Sequence, residues 1–424
     1  MILNGGLEDH TNLRRKNNRI PWKRILVILC IFTTIIFLRR RHRLSLFPFK
    51  EKPPPVVPTR DWEHRPLSGC FDPERVERTD YNLTQFLDSR PRHTLNAGSN
   101  MKFEMECYDF AGTIRPDERY DDTTSSLIYH TYWRMDLLPF DQREGYTIDS
   151  FLATQDLSRS RLILWTNDAA GLSVTPVVAK YLMDWPGVFE VREVDVREMT
   201  EGTVLHRIEA LEGMYDGSAW VDGDAVRLLA LWNHGGIWFD MDEILTRDLG
   251  VLTEHEFVTQ WDCRDDPNLI LNGHIMHFRR QSPYLCEAFH IMATEPAPTP
   301  NSLDWGAFLY QKLYRRLMHG GVKPFSVLPW CFTDPRNCHD DISFPNPFEK
   351  DPGSWKGLNW SDPSGEGPIR DGRQHLEKRI NQIWSIHLHN QWNRTFPEGG
   401  YIERLLEKQA DEMGVRKNKR NAYN

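Results

Sequence analysis

Residues 222–249 read DGDAVRLLALWNHGGIWFDMDEILTRDL, and this stretch decides the fold of the chain. It predicts a helix over 225–233, which ends at Gly235-Gly236 because glycine adopts the backbone conformations that close a helix. A short apolar strand, 237–239, follows at once. A helix that leads directly into a short apolar strand is typical of an α/β domain.

The acidic pair Asp240 and Asp242 closes this strand. Side chains alternate along a strand, so the two carboxylates project to the same side. Adjacent carboxylates repel each other unless a cation lies between them. At the carboxyl end of a parallel strand, a hard divalent cation can bridge the two phosphates of a nucleotide sugar and stabilise the charge on the leaving diphosphate. The pair therefore predicts a site for Mn²⁺ or Mg²⁺.

Asp224 and Arg227 lie one turn apart on the predicted helix, upstream of the acidic pair. They could form a surface ion pair, which contributes about 0–1 kcal/mol. Alternatively, Asp224 could bind hydroxyl groups of a donor sugar while Arg227 contacts sugar or diphosphate oxygens. The spacing alone does not choose between these interpretations.

The flanking sequence alternates predicted strands with predicted helices. Such alternation favours an α/β domain with a largely parallel sheet. The chain ends, from Lys408 onward, in a polar segment that we expect to be frayed. The predicted strands are 126–133, 162–166 and 188–194, and the predicted helices are 174–183, 283–293 and 305–318.

Residues 25–38, ILVILCIFTTIIFL, form an uncharged apolar run between clusters of basic residues. The run is short for a bilayer of about 30 Å, but the flanking arginines and lysines can extend to the interface. A cleaved signal sequence would have small residues after the run, where RRRHR stands instead. We therefore expect a transmembrane signal anchor, with residues 1–24 cytoplasmic and the bulk of the chain lumenal. Residues 39–125 would form a proline-rich stem and an N-terminal elaboration.

Cysteines and sequons agree with a lumenal location. Cys30 lies in the apolar run, and the six cysteines after it are an even number, which fits disulfides in an oxidising compartment. Cys331 and Cys338 are close enough in sequence to link a local loop, and the other pairings stay open. N-glycosylation sequons, which also arise by chance, begin at Asn82, Asn359 and Asn393.

The composition fits one large catalytic domain with appendages, because 40% of the 424 residues are hydrophobic. A net charge of −8 gives no basic surface for nucleic acid, so we expect no nucleic-acid partner. The 15 tryptophans could stack on sugar rings or fill the core.

Residues 224–242, DAVRLLALWNHGGIWFDMD, resemble the sugar-binding region of family 32 glycosyltransferases. The family pattern is D-x-x-R-y-x-x-L-x-x-x-G-G-I-Y-x-D-x-D, and the arrangement is also similar to that of large bacterial glucosylating toxins. The resemblance implies a GT-A fold, a Rossmann-like nucleotide-sugar-binding sheet with flanking helices, over residues 126–396, with 397–424 as a C-terminal tail. The residues in register are Asp224, Arg227, Leu231, Gly235, Gly236, Ile237, Asp240 and Asp242.

Three further segments extend the resemblance: 129–133 (YHTYW), 272–276 (NGHIM) and 385–392 (SIHLHNQW). The chain departs from the family pattern at Trp238-Phe239 and at 389–391. The resemblance implies that Asp224, Arg227, Asp240 and Asp242 are catalytic, and that Asp240, Asp242 and His387, with His389 as the alternate histidine, hold the metal. It implies donor binding by His130, Trp133, Asp224, Arg227, Asn272, His387 and Trp392.

The implied activity is transfer of a hexose, with retention, from a UDP- or GDP-sugar to a glycan or glycolipid in the Golgi or endoplasmic reticulum. No residue must act as a covalent nucleophile, and Asp224, Asp262 and Asp265 are equal candidates. A front-face reaction is also compatible with the family. The alternatives are a metal-dependent hydrolase, for which no water-activating cluster is evident, and a catalytically weak sugar-binding or scaffold protein on the same fold.

Overall fold

The computed structural model describes residues 65–84, 91, 95, 106–116, 125–206, 208, 211, 216–261, 271–336, 344–351 and 372–423. All of them belong to one compact unit, Thr59–Asn424. No helix among these residues combines the length and the apolar character needed to cross a bilayer. The predicted anchor, the stem up to residue 64, Asn359, Asp262, Asp265, Cys263 and Cys338 lie outside the described residues.

The strands among the described residues are β1 Leu127–Trp133, β2 Ser160–Thr166, β3 Phe189–Glu193, β4 Gly236–Phe239, β5 Glu243–Leu245, β6 Phe257–Gln260, β7 Leu271–Phe278, β8 Ser326–Leu328 and β9 Ser385–His387. Seven of them form one mixed sheet in the order β3-β2-β1-β4-β7-β6-β8. The central strand β1 pairs in parallel with β2 and β4, whereas β7 runs antiparallel to β4 and β6. Strands β5 and β9 form a separate antiparallel pair.

Helices follow the strands and cover both faces of the sheet. They are α1 Pro73–Val76, α2 Glu106–Thr113, α3 Gln142–Thr154, α4 Ala169–Ser173, α5 Pro176–Asp184, α6 Val196–Met199, α7 Trp220–His234, α8 Pro283–Thr294, α9 Ala307–His319, α10 Gly372–Ile380 and α11 Tyr401–Tyr423. The strands and helices predicted from the sequence are all present with ends shifted by a few residues, and the α/β class is confirmed.

The hydrophobic core has two parts, one on each face of the sheet, because successive side chains of a strand point in opposite directions. Tyr129 on β1 packs with Phe151 of α3 and Phe239 of β4 on one face. Tyr132, three residues further along β1, packs on the other face with Trp238. The central strands are therefore buried on both sides, which explains their nearly continuous apolar sequence.

The C-terminal segment is a helix, so the expected fraying from Lys408 is wrong for the described residues. Helix α11 buries Tyr401 and Ile402 in the core. Further along, the guanidinium of Arg416 donates to the Leu152 carbonyl at 3.3 Å, and Lys417 pairs with Asp184 at 2.7 Å. The apolar anchors stand at the start of the helix, and long basic side chains hold the polar remainder on the domain.

Among the described cysteines, two disulfides join segments that are far apart in sequence: Cys70 with Cys286, and Cys107 with Cys331. The expected local link between Cys331 and Cys338 is therefore wrong, because Cys331 already pairs with a cysteine on α2. Closeness along the chain did not predict closeness in space. The asparagines of the two described sequons, Asn82 and Asn393, are exposed.

The order of the strands reverses between β1 and β4. The chain runs outward from β1 through β2 to β3 and then returns to β4 on the other side of β1. Ligands of open α/β sheets bind outside the carboxyl ends of strands at such a reversal. This position is where β1 ends at Trp133 and β4 ends at Phe239.

Candidate functional site

A cleft of about 310 Å³ opens at the carboxyl ends of β1 and β4, a volume typical of small-molecule sites. Its walls come from the loop after β1, the start of α7, the β4–β5 turn, β7 and the segment after β9. The predicted site residues that line it are Trp133, Asp224, Arg227, Asp240, Asp242, Asn272, His387 and Trp392. One more predicted residue, His130, does not line it.

Helix α7 brings Asp224 and Arg227 to the cleft. Trp220, Asp224 and Arg227 are spaced so that they share one face of the helix, and all three line the cleft. The helix follows Ala219, whose φ of 56° is left-handed. The buried carboxylate of Asp216 holds this turn, because it accepts the backbone N–H groups of Ser218, Trp220, Val221 and Asn301 at 3.0–3.1 Å.

Arg227 bridges two carboxylates in the floor of the cleft. Its Nη1 lies 3.2 Å from Asp224 Oδ1, and its Nη2 lies 3.0 Å from Asp240 Oδ1. Asp224 is only 6% exposed and Arg227 only 8%. The interpretation as a surface ion pair is therefore excluded, and the three charges form a buried cluster.

Burial has the largest effect on the pKa values of Asp224 and Asp240, and it raises both. It raises the pKa of Asp224 to about 7, although the neighbouring Arg227 guanidinium opposes the shift and Asp240 adds to it. Burial also raises the pKa of Asp240, against the same guanidinium. Carboxyl groups with raised pKa values in a cleft are typical of functional sites.

Two glycines make room for this cluster. A Cβ on Gly273 of β7 would lie 2.1 Å from Arg227 Nη1 and 2.7 Å from the Tyr310 hydroxyl. A Cβ on Gly306, before α9, would lie 2.5 Å from Asp224 Oδ2. Sequence reasoning missed Gly273, Gly306 and Tyr310, since nothing in their own segments indicates which side chains pack against them.

Asp240 stands at the turn between β4 and β5. Its backbone N–H donates to the His274 carbonyl of β7 at 2.8 Å. Its Oδ1 accepts the indole N–H of Trp238 at 2.7 Å as well as the Arg227 guanidinium. The tryptophan that replaces the usual tyrosine of the family pattern thus orients the first carboxylate of the acidic pair.

Asp242, the second carboxylate, is tied to the segment after β9. Its Oδ2 accepts the backbone N–H of Asn390 at 2.6 Å, and His387 Nε2 lies 3.3 Å from the same oxygen. Burial alone would raise the pKa of Asp242, but His387 and the Asn390 amide outweigh burial and lower it below its usual range. Asp242 is thus ionised and directed into the cleft.

His387 is surrounded by acidic groups that sequence reasoning missed. Its Nδ1 lies 3.5 Å from Asp334 Oδ2, and its Nε2 lies 3.9 Å from Glu243 Oε1. Its ring stacks on His274 with centroids 4.5 Å apart. Burial opposes the charged imidazole, but Asp242 and Glu243 raise the pKa of His387 well above its usual value. The alternate histidine, His389, bonds to Asp334.

The structure does not bring His130 to the cleft. Its ring is fully buried, its Nε2 donates to the Gly235 carbonyl at 2.9 Å, and its Nδ1 accepts the Trp165 indole N–H at 3.2 Å. Burial lowers its pKa to about 3. The physical reason is its place on β1, three residues before the strand end, where the α7–β4 turn covers it.

The donor set fits a hard divalent cation. Asp240 and Asp242 each have one oxygen engaged by protein donors, and the other oxygen accepts no hydrogen bond from the described residues. Carboxylate oxygens are the ligands that Mg²⁺ and Mn²⁺ prefer. Metal-ligand residue types also converge beside them, as Glu243, His274 and His387 and as Asp334, His387 and His389.

Residues 142–259 match the family described as a glycosyltransferase sugar-binding region containing a DXD motif. The matched range includes Asp224, Arg227, Asp240 and Asp242. The chain therefore carries a glycosyltransferase-like sugar-binding region. No curated protein matches the chain.

Three solved structures share limited similarity with the chain. The WbbM bifunctional glycosyltransferase has a TM-score of 0.39 at 12% identity, over 70% of this chain and 52% of that one, so the chain spans about half of its length. The PaToxG glycosyltransferase has a TM-score of 0.31 at 15% identity, over 53% of this chain and 86% of that one. Mouse xyloside xylosyltransferase 1 has a TM-score of 0.33 at 14% identity, over 50% of this chain and 88% of that one.

Proposed function

We propose that this chain is a family 32 glycosyltransferase of the hexosyltransferase class. It transfers a sugar, with retention, from a UDP- or GDP-sugar to a glycan or glycolipid. The observation that carries the proposal is the buried bridge Asp224–Arg227–Asp240, which lies in one cleft with Asp242 at the strand-order reversal. A charged cluster of this kind is costly to bury, and ligand binding accounts for its retention.

Each residue of the cleft has a role in this proposal. The Asp224 carboxylate accepts hydrogen bonds from sugar hydroxyls, and Arg227 donates to sugar or diphosphate oxygens. Trp133 and Trp392, whose rings meet edge to face at 4.9 Å, wall the donor and exclude water. Asp240 and Asp242 would hold Mn²⁺ or Mg²⁺, with His387 beside them. When bound, the cation neutralises charge on the departing diphosphate.

The proposal does not need a covalent nucleophile. Asp224 is the one of the three sequence candidates that lies among the described residues, and its ion pair with Arg227 makes it a binding group rather than a free nucleophile. The leaving phosphate can accept the proton of the acceptor hydroxyl on the same face of the sugar. Positioning and charge stabilisation then supply most of the rate acceleration.

The proposed location is the Golgi or endoplasmic reticulum, with residues 25–38 as a type II anchor and the catalytic domain in the lumen. The two disulfides support an oxidising compartment. The exposed asparagines of the sequons at Asn82 and Asn393 are accessible to glycosylation. Protease protection of the domain in sealed microsomes would test the orientation, and complete digestion without detergent would contradict it.

The activity is tested with the full chain in detergent, Mn²⁺, a panel of UDP- and GDP-sugars, and glycan or glycolipid acceptors. We expect one donor to be hydrolysed slowly without acceptor and faster with the right one. Asp242→Ala should lower kcat/KM about 10³-fold, because it removes a ligand of the charge-stabilising group. Asp168→Ala, which removes a helix cap at a residue that does not line the cleft, is the control.

Two results would overturn the proposal in different ways. Unchanged activity in Asp242→Ala would remove the role of the acidic pair. Absence of nucleotide binding with every donor would favour the alternative, a membrane-anchored sugar-binding or scaffold protein on the same fold.

A further inference from the structure

Asp334 is a buried carboxylate that lies behind the cleft and does not line it. It is 1% exposed. His389 Nε2 donates to its Oδ1 at 2.9 Å and lies 3.0 Å from its Oδ2. His387 Nδ1 lies 3.5 Å from Oδ2. One carboxylate thus contacts both histidines of the His-Leu-His element.

Asp334 reaches Asp242 by two routes. The first runs through the His387 ring, whose Nδ1 faces Asp334 and whose Nε2 lies 3.3 Å from Asp242 Oδ2. The second runs through His389 to the next residue, Asn390, whose backbone N–H donates to the same Asp242 oxygen at 2.6 Å. Both routes therefore end on the same oxygen, Asp242 Oδ2.

The second route passes through a strained turn. His389 and Asn390 both have φ of 55°, in the left-handed region that residues with a Cβ rarely adopt. Each such residue costs roughly 1 kcal/mol or more, so two in succession need compensating contacts. The charge-assisted bonds from His389 to Asp334 and from Asn390 to Asp242 supply that compensation.

Asp334 itself is held firmly. It follows a 3₁₀ turn, Trp330–Phe332, and its backbone N–H donates to the Trp330 carbonyl at 2.8 Å. Cys331 within that turn is joined to Cys107 of α2. The Phe332 ring stacks on the Trp384 ring, with centroids 4.8 Å apart. The backbone carbonyl of Phe332 also accepts the backbone N–H of Trp384. The Asp334 carboxylate is therefore a fixed point for the two histidine side chains that it contacts, His387 and His389.

Asp334 and the neighbouring histidines are also residue types that bind metal ions, but their geometry disfavours a second metal site. Two ligands that bind a tetrahedral ion at about 2.0–2.1 Å lie about 3.3 Å apart. The 2.9 Å between His389 and Asp334 is shorter and is that of a direct hydrogen bond. The His274 and His387 rings are stacked at an interplanar angle of 12°, so their in-plane lone pairs do not converge on one point.

We propose that Asp334 is a positioning residue for the cation site, which orients Asp242 through His387 and through the turn at His389 and Asn390. The inference rests on the proposed function only in assuming that Asp242 holds a divalent cation. Histidines at metal sites commonly donate their second ring N–H to a carboxylate, and loss of that carboxylate typically weakens metal binding 10–100-fold.

The test is direct binding of Mn²⁺ to the full chain in detergent, measured by electron paramagnetic resonance without donor. Asp334→Ala should raise the Kd about 10–100-fold, and Asp334→Asn, which keeps an acceptor for His389, should raise it less. Glu256→Gln alters another buried carboxylate, bonded to Tyr81 and outside the cleft. This control should lower the melting temperature but leave the Kd for Mn²⁺ unchanged.

Each outcome has a distinct meaning. If the unaltered chain binds no Mn²⁺, the metal dependence in the proposed function fails. If it binds Mn²⁺ and Asp334→Ala binds equally well, the positioning role is overturned. Loss of one of two bound ions in Asp334→Ala, with the other site unaltered, would overturn it in favour of a second metal site. If Asp334→Ala does not fold, His389→Gln carries the same expectation, because the His389 ring is 31% exposed and easier to alter.

Discussion

The two walls of the cleft are built in different ways. The sugar-side cluster, Asp224, Arg227 and Asp240, comes from one continuous helix–strand unit, and its longest contact, between Arg227 and Asp240, spans 13 residues of sequence. The closing cluster, Asp242, Asp334, His387 and His389, comes from three separate segments, with 148 residues between Asp242 and Asn390, which bonds to it. A local unit can be recognised as a motif, whereas a cluster of distant segments exists only after the sheet has formed.

The difference also concerns charge. In the sugar-side cluster the Arg227 guanidinium pairs with the two carboxylates of Asp224 and Asp240, whose pKa values are raised by burial. In the closing cluster histidine and backbone N–H groups surround Asp242 and outweigh burial, so its pKa is lowered. Asp224 in the first cluster therefore suits hydrogen bonding to uncharged hydroxyl groups, whereas Asp242 in the second cluster, together with Asp240, suits retention of a divalent cation.

The strongest way to break the sugar-side cluster is Arg227→Lys. A lysine ammonium is a single point charge and cannot bridge Asp224 and Asp240 as the planar guanidinium does. We expect kcat/KM to fall about 10²-fold, as for loss of one preorganised hydrogen-bond donor. Full activity of the lysine variant in donor-hydrolysis assays would show that a positive charge alone is sufficient.

A smaller effect is expected from filling the space beside the cluster. Gly306→Ala places a methyl group 2.5 Å from Asp224 Oδ2 and must displace that carboxylate. We expect the KM for the donor to rise about tenfold, with a loss of stability of about 1–3 kcal/mol. Gly217→Ala is the matched control, since, its chain neighbours aside, no atom of the described residues lies within 4 Å of its added Cβ. Equal kinetics of the two variants would contradict the close packing of Asp224 against Gly306.

The closing cluster can be loosened separately through its disulfide. The double change Cys107→Ser and Cys331→Ser releases the turn that carries Asp334. We expect a few-fold rise in the Kd for Mn²⁺ with little change in metal-free nucleotide binding, by the supporting role of residues around metal ligands. Cys70→Ser with Cys286→Ser removes the other disulfide and should cost stability without altering Mn²⁺ affinity. A change of equal size in both double variants would show only general destabilisation.

The smallest expected effect is on stability and has the opposite sign to the effect on activity. The pKa of Asp224 is raised to about 7, so its stabilising contribution is present below pH 4 and is lost as the pH rises toward 7 and above. Asp224→Asn should therefore raise the melting temperature at pH 8 by about 2–4 °C relative to the unaltered chain, with no gain at pH 4. Activity should fall at both pH values. A lower melting temperature at pH 8 would show that the carboxylate stabilises Arg227 more than burial destabilises it.

Much of the fold was predicted correctly because periodicity alone indicates helices and strands. The strands β1, β2, β3 and β4 were predicted with ends within about two residues, whereas helix α7 begins at Trp220, five residues before the predicted start at 225. The C-terminal helix was missed because its apolar anchors precede a long charged segment. The pairing of Cys331 with Cys107 was missed because sequence spacing carries no information on which chain segments meet.

The candidate site shows the same division. Asp224 and Arg227 were assigned to the donor-binding residues, and the structure brings both into the cleft that Asp240 and Asp242 also line. His130 was assigned to the donor by resemblance, but its ring is packed against Gly235 and Trp165. Tyr310 and Asp334 carried no signal in the sequence, since single tyrosines and aspartates occur throughout the chain.

Local sequence periodicity is sufficient to predict the sugar-side cluster. A helix has 3.6 residues per turn, and side chains alternate every two residues along a strand. These two periods set the relative directions of the side chains within one local unit, namely Asp224, Arg227, Asp240 and Asp242. Only the tertiary structure decided which groups surround Asp242. Asp334 is 55 residues from the histidine it holds, and their contact depends on a disulfide and a left-handed turn. Local geometry follows from bond rotations that each residue type permits, whereas contacts between distant segments follow from how the whole core packs.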